Sequence, residues 1–220
     1  MLQGVGNPRY PPNGGVMEQR TDEWYNARLG LVTGSRLADV ITKKRNGEYS
    51  VRRSQYMQEL ASERRTGARL RKYVNKYMQI GIDEEPAAIG WYTVHTGEEV
   101  IPAGFVRHNS LSESGASPDG LVGDNGVIEV KCPTFENHVV QILMDEIPGM
   151  YLPQIGWELA CTEREWCDYI SFNRGYEGGE IFIKRLYRDE KYIKRLEHEV
   201  AIFLDELHEL LYVECGSMNF

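Results

Sequence analysis

The 220-residue chain lacks any long apolar run. No stretch approaches the roughly 20 residues that a bilayer-spanning helix needs. Residues 1–6 hold neither the basic segment nor the apolar segment of a secretory signal. A cytoplasmic protein with no membrane partner is therefore expected. Cysteine is scarce. The four present, Cys132, Cys161, Cys167 and Cys215, form no C-x-x-C pair, and no histidine stands at zinc-site spacing from them. That argues against a zinc module and predicts free thiols, buried or half-buried. Positive charge is also in deficit, with 25 Lys and Arg against 33 acidic residues and a net charge of −8.

The distribution of charge matters more than its sum. Residues 41–80 hold eleven Lys and Arg against three Glu, so the rest of the chain is strongly acidic. This asymmetry suits a basic surface facing phosphate, with acidic surface elsewhere; a solvated helix face rich in Lys and Arg would give the same count. Hydrophobic residues make up 41% and charged residues 26%, enough for one domain with a sizeable core. Residues 1–16, rich in Gly, Pro and Asn, read as a flexible leader, and 17–220 as a single domain. Internal repeats are absent.

A helix is predicted from Thr21-Asp22-Glu23, where a capping residue precedes two first-turn acids. It carries Trp24, Tyr25 and Arg28. After the break Gly30-Leu31-Val32-Thr33-Gly34, Ser35 reads as the N-cap of a second helix with Leu37, Val40 and Ile41 on one face. A basic helix is expected over 51–65, and another over 73–96 with an interruption at Pro86. Extended structure begins at Val100-Ile101 and recurs at Phe105-Val106 and Leu121-Val122. Gly123-Asp124-Asn125-Gly126 is a hairpin turn, since Asn-Gly tolerates positive φ. The return strand is Val127 to Cys132, stopped by Pro133. Helices follow at 135–147 and 151–162, strands at 166–172 and 180–187, and an amphipathic helix at 189–212 with Leu196, Val200 and Phe203 at helical spacing. The result is mixed α/β around a modest central sheet. Trp24, Tyr25, Trp91 and Trp157, at helical positions, read as core rather than as base-stacking platforms, and His95, His108 and His138 show no ligand spacing.

The hairpin 119–131 carries the chemistry. Side chains alternate along a strand, so Glu129 and Lys131 point to one side while Ile128 and Val130 point to the core. A tight hairpin returns the chain beside its start, which brings Asp119 close to Glu129. Glu-Val-Lys alone is an ordinary solvated strand face with a weak ion pair. Pro118-Asp119 followed by a turn and Glu129-Val130-Lys131 is far more specific. Two carboxylates and an ammonium are what metal-assisted phosphodiester hydrolysis requires. Mg²⁺ prefers oxygen ligands and keeps several waters; a lysine close by orients or deprotonates a water, or stabilises developing charge.

Four stretches resemble the phage lambda exonuclease and YqaJ-like viral recombinase family of PD-(D/E)xK nucleases. They are Trp24 to Ser35, matching W-x₃-R-x-G-x-[IV]-T-x-S; Gly81 to Glu85, matching G-x₃-E; Ser117-Pro118-Asp119-Gly120 through Glu129-Val130-Lys131-Cys132-Pro133, matching SPDG…E-[LV]-K-C-P; and Tyr151 to Gln154, matching Y-x-x-Q. The resemblance spans about residues 18–212 in order. It implies a restriction-endonuclease-like core, with a central mixed β-sheet flanked by helices. It also implies a bacterial, phage or prophage protein. The implied activity is Mg²⁺-dependent 5′→3′ digestion of one strand of duplex DNA from its ends, with Mn²⁺ as substitute. A ring-shaped homotrimer and a single-strand annealing partner are implied too. By resemblance, Asp119, Glu129, the Val130 carbonyl and Glu85 hold metal, Lys131 acts on the attacking water, and Gln154 positions the water or the lysine. Arg28, Ser35 and Ser117 match residues that hold a 5′-phosphate; an Arg fork and a helix N-terminus suit that anion. Arg45, Arg52 and Arg53 are candidates for phosphate contacts along the duplex. Because Pro86 follows Glu85, Glu84 is the alternative acid. Two other functions stay open: a structure-specific endonuclease with the same core, and a DNA-binding module without activity.

Overall fold

In the computed structural model of the chain, residues 17–70 and 75–216 are described; the leader assigned to 1–16 and the side chain of Cys215 lie outside that description. The elements in chain order are α1 (Asp22–Ala27), β1 (Val32–Thr33), a 3₁₀ turn (Gly34–Arg36), α2 (Leu37–Ile41), α3 (Val51–Thr66), α4 (Lys76–Thr96), β2 (Val100–Ile101), β3 (Val106–Arg107), β4 (Ser114–Ala116), β5 (Gly120–Val122), β6 (Gly126–Lys131), α5 (Phe135–Met144), α6 (Leu152–Thr162), β7 (Trp166–Phe172), β8 (Ile181–Tyr187) and α7 (Glu190–Gly216). No helix among the described residues is long and apolar enough to cross a membrane.

The main sheet has the order β2-β5-β6-β7-β8 and is mixed: β6 and β7 run parallel, while the other neighbours are antiparallel. A parallel pair cannot be joined by a tight turn and needs a crossover. Here α5 and α6 form that crossover. It sends α6 back across the sheet, so side chains of α6 meet those of β6. Helices cover both faces, which is why every residue of β6 from Gly126 to Val130 is buried rather than alternating in and out. Val127 joins a larger core with Leu159, Val200 and Phe203, whereas Ile128 and Val130 join a smaller one with Ala88 and Tyr92 of α4. A short second sheet, β1-β4-β3, lies beside the main one.

The β5–β6 hairpin is held from outside. Arg164 donates to the carbonyls of Val122, Gly123 and Gly126 at 3.2, 2.9 and 2.6 Å, clasping the turn. Positive φ falls at Gly123 (+50°), not at Asn125-Gly126 as the sequence suggested. Gly126 is instead needed for space, since a Cβ there would lie 2.1 Å from the Trp166 ring.

Three other expectations are corrected. The helix around Pro86 is not interrupted: α4 runs through it, with Pro86 on its exposed side. Ser35 is not the N-cap of α2; it sits inside the 3₁₀ turn, and Arg36 occupies the cap position. Strands β1 and β4 were not foreseen. Thr21 does cap α1, accepting from the Trp24 N–H. Trp24 and Trp157 are core residues; Trp91 is 40% exposed. Cys132, Cys161 and Cys167 are free, the last two buried.

Candidate active site

Asp119 immediately precedes β5. Its backbone N–H donates to Ile128 O at 3.1 Å, extending the hairpin ladder by one bond, and its Oδ2 accepts from the Val130 N–H at 2.7 Å. The carboxylate is thereby tied to the opposite strand beside Glu129. Upstream, Gln19 Nε2 donates to Pro118 O at 2.8 Å and anchors the approach to Asp119.

Glu129 and Lys131 share a face of β6, as period-two alternation requires. The Lys131 ammonium bonds Glu129 Oε1 directly, and Lys131 Nζ lies 3.5 Å from Gln154 Oε1. Gln154, in the first turn of α6, donates from Nε2 to Glu129 Oε1 at 2.6 Å and to Glu158 Oε1 at 2.9 Å. Glu129 and Glu158 are each 1% exposed, and their Oε2 atoms are buried without a hydrogen-bond partner. Glu158 was not anticipated from sequence. The signal that identifies it is spacing: it lies four residues after Gln154, hence on the same helix face.

Glu85 reaches this group from α4, where it bonds Arg20; Glu84 turns away to Arg174, 3.0 Å distant and largely exposed. Of the two acids, Glu85 lines the pocket. Arg20 adopts a positive φ of 68°, uncommon for a residue with a side chain.

One cavity of about 200 Å³ is lined by Arg20, Arg28, Ser35, Glu85, Ser117, Asp119, Glu129, Val130, Lys131, Gln154 and Glu158, among others. Arg28 enters it between aromatic surfaces, its guanidinium 3.9 Å from the Trp24 ring centroid. Arg28 Nη1 donates to Ser117 Oγ at 2.8 Å, and Trp24 Nε1 donates to the same hydroxyl at 3.0 Å. The segment carrying Ser35 is fixed to α3: Gly30 N donates to Glu63 Oε2 at 3.0 Å, Gly30 O accepts from Arg64 Nε at 2.8 Å, and Thr33 N donates to Tyr56 Oη at 3.0 Å. Gly30 has φ +68° and its Cβ position is 2.8 Å from Arg64 Cγ, so only glycine fits there.

The electrostatics are those of crowded like charges. Burial, then the negative charges of Glu129 and Glu85, push Asp119 well above the usual carboxylate range. Burial and Glu129 do the same to Glu158. Burial alone disfavours the Lys131 ammonium, but Glu129 and Asp119 outweigh it and hold the group above an ordinary lysine. Burial pulls Arg28 down to about 10, so it remains charged at neutral pH.

Among the described residues, no three His, Cys, Asp or Glu side chains stand in a ready-made metal-binding arrangement. Each carboxylate is engaged: Asp119 by the Val130 N–H, Glu129 by Lys131 and Gln154, Glu85 by Arg20. The donor set nevertheless fits a hard divalent cation. It consists of carboxylate oxygens around one pocket, with the Glu129 Oε2 atom buried and unpartnered, and mutual repulsion that a cation would relieve.

The basic residues divide. Arg45 and Arg52 are exposed. Arg53 is corrected as a duplex contact: it is 3% exposed, lies 4.0 Å over the Tyr49 ring and 4.9 Å from that of Phe203, and sits 3.0 Å from Glu206 Oε2 without hydrogen-bond alignment.

Fold and site together define a mixed-sheet α/β protein with an acidic, lysine-bearing pocket that adjoins an arginine–serine recess. The chain belongs to the YqaJ-like viral recombinase domain family, whose model matches residues 23–165. Among solved structures it is similar to the alkaline exonuclease LHK-Exo from Laribacter hongkongensis. The identity is 40% over 90% of this chain and 98% of that one, with a TM-score of 0.83; the complex of that enzyme with dAMP matches equally well. A phage-related exonuclease from Haemophilus somnus 129PT shares the fold at 16% identity, covering 84% of this chain and 96% of its own, with a TM-score of 0.64. No curated protein matches the chain.

Proposed function

We propose that the chain is a Mg²⁺-dependent 5′→3′ exonuclease. It digests one strand of linear double-stranded DNA and leaves 3′ overhangs for recombination by strand annealing. The observation that carries this reading is the shared pocket: Ser117, two residues before Asp119, accepts from Arg28 at 2.8 Å, so an anion-binding recess adjoins the acidic group. A terminal 5′-phosphate in the recess would set the adjoining phosphodiester beside Asp119, Glu129 and Lys131. An internal stretch of duplex has no such terminal group to offer. The 40%-identical relative is itself an exonuclease and was solved with dAMP, a nucleoside 5′-monophosphate.

Asp119, Glu129, the Val130 carbonyl and Glu85 would hold Mg²⁺ or Mn²⁺. When bound, the cation supplies an acidified water and offsets charge on the phosphoryl group. Lys131, its ammonium oriented by Glu129 and Gln154, would act on the attacking water and stabilise negative charge developing at the phosphoryl group. Arg28, Ser117 and Ser35 bind the end of the strand, a bidentate fork and hydroxyls suited to phosphate. Arg45 and Arg52, both exposed and both in the chain's basic segment, serve duplex phosphates without sequence preference. A homotrimer finds support in the apolar outer face of α5, where Val140, Leu143 and Met144 are 55%, 77% and 62% exposed; light scattering reads its mass. An annealing protein is the proposed partner in recombination.

The test uses linear duplex with a 5′-phosphate, labelled separately at each end, with Mg²⁺, a covalently closed circle and the Asp119→Ala protein alongside. Early release of 5′-labelled mononucleotide, an intact circle and an inactive variant are expected. Cutting of the circle would make the protein an endonuclease. No cleavage with either Mg²⁺ or Mn²⁺ would leave a DNA-binding module.

A further inference from the structure

We propose that Glu158 is a positioning residue for Lys131, acting through the side-chain amide of Gln154. The proposal rests on the nuclease reading and adds to it a residue of α6 one helical turn beyond Gln154.

A side-chain amide has two N–H donors at one end and an acceptor at the other. Gln154 spends both donors on carboxylates, Glu129 Oε1 at 2.6 Å and Glu158 Oε1 at 2.9 Å. Its carbonyl oxygen is then the atom left to face the Lys131 ammonium, and it does so at 3.5 Å. A reversed amide would set oxygen against two carboxylates and N–H groups against an ammonium. Glu129 alone gives the amide one anchor; Glu158 makes it two, so the plane as well as the end of the amide is fixed. Lys131 is thereby held between Glu129 and an amide oxygen that cannot swing away.

Glu158 is poorly suited to be a structural strut. It is 1% exposed, it is packed beside another buried carboxylate, and its second oxygen has no hydrogen-bond partner. Burying a polar group that is only partly hydrogen-bonded costs stability rather than adding to it. Its Oε1 accepts from Gln154, and its other close polar neighbour is the Glu129 carboxyl group.

The test compares wild type with Glu158→Leu, Glu158→Gln, Gln154→Ala and Gln154→Ala/Glu158→Leu. Should the leucine variant not fold, Glu158→Met carries the same comparison. The leucine variant is expected to lose about tenfold or more in kcat, as slight misplacement of a reacting group does. Its KM for DNA and its Tm should hold. Glu158→Gln, which still presents an oxygen to Gln154, should recover most of the lost turnover. In the Gln154→Ala background, Glu158→Leu should cost less than about twofold, because the two residues act in series. A readout independent of activity is the side-chain NH₂ resonance of Gln154, assigned by its absence in Gln154→Ala: its hydrogen exchange should accelerate in Glu158→Leu. Unchanged kcat in the leucine variant, an equal loss in both backgrounds, or a fall in Tm that glutamine does not repair would overturn the proposal. If wild type itself cleaves nothing, the nuclease reading fails and the amide exchange alone decides: slow exchange that quickens in Glu158→Leu keeps the positioning contact, and unaltered exchange removes it.

Discussion

The Val130 N–H donates to Asp119 Oδ2 at 2.7 Å, across the hairpin that joins them. Backbone thus holds the carboxylate whose charge the site makes costly, since burial and the neighbouring Glu129 and Glu85 all favour its neutral form. The contact separates geometry from charge. In Asp119→Asn the amide oxygen still accepts from Val130, so the hairpin should fold as before, but the negative charge that attracts a cation is gone. Cleavage is expected to fall by about a thousandfold or more, in line with the loss of a principal electrostatic contributor to a hydrolytic site. Duplex affinity by fluorescence anisotropy should stay within about twofold, because phosphate contacts lie elsewhere. Retention of full activity would remove Asp119 from the chemistry.

The acid that joins Asp119 from α4 should be Glu85, not Glu84. Adjacent residues of a helix diverge by about 100°, and here one lines the pocket while the other meets exposed Arg174. Glu84→Gln is expected to leave turnover within about twofold, as exposed ion pairs contribute little. Glu85→Gln should raise the Mg²⁺ concentration for half-maximal rate about tenfold or more, since even the partners of metal ligands are worth about that much. A Mg²⁺ titration of both variants checks this, and equal behaviour of the two would refute it.

The hairpin was legible in the sequence because its signals are local: alternation puts Glu129 and Lys131 on one face, and the turn sets Asp119 opposite. Apart from the short strands β1 and β4, the order of helices and strands through β8 follows from periodicity and turn signals in the same way. Strand β4, Ser114-Gly115-Ala116, has no such signal. Its central residue is glycine because a Cβ at Gly115 would lie 2.4 Å from the Phe105 ring and 2.6 Å from Val106 O, a constraint visible only after folding. Pro86 misled because the rule for helix interiors ignores that neighbouring packing, here Ala88 and Tyr92 against the sheet, sustains the helix on both sides of one missing bond. Glu158 escaped because a lone Glu in an apolar helix carries no motif; its meaning comes from the crossover that lays α6 against β6.

Arg53 and Arg52 are adjacent on α3 and should behave oppositely. Arg52 is exposed, so Arg52→Ala is expected to weaken duplex binding and to lower the salt slope of log K by about one. Arg53 is packed against Tyr49 and Phe203 and close to Glu206. Arg53→Ala should cost about 1–3 kcal/mol of stability through lost packing and an abandoned partner, with little change in DNA affinity. Urea unfolding and salt-dependent binding of both variants decide it. A folding loss in Arg52→Ala, or a binding loss alone in Arg53→Ala, would reverse the assignment.

Arg28 is a half-buried cation that, among the described residues, meets a hydroxyl and a ring face but no carboxylate. Burial lowers its affinity for the proton to about 10, against 12.5 for the free side chain. A cation whose folded-state value is depressed binds its proton less well when folded, so at neutral pH it works against folding until an anion joins it. Inorganic phosphate or dAMP should therefore stabilise wild type. At ten times the dissociation constant the gain is about 1.4 kcal/mol, or roughly 2–4 °C in Tm for a domain of this size. Arg28→Ala should melt no lower than wild type in phosphate-free buffer and should lose the response to phosphate. The same variant should cleave 5′-phosphorylated and 5′-hydroxyl duplexes at similar rates, where wild type favours the phosphorylated end. Equal stabilisation of both proteins by phosphate would place the anion somewhere other than the recess of Arg28 and Ser117, and the account of end recognition would fall with it.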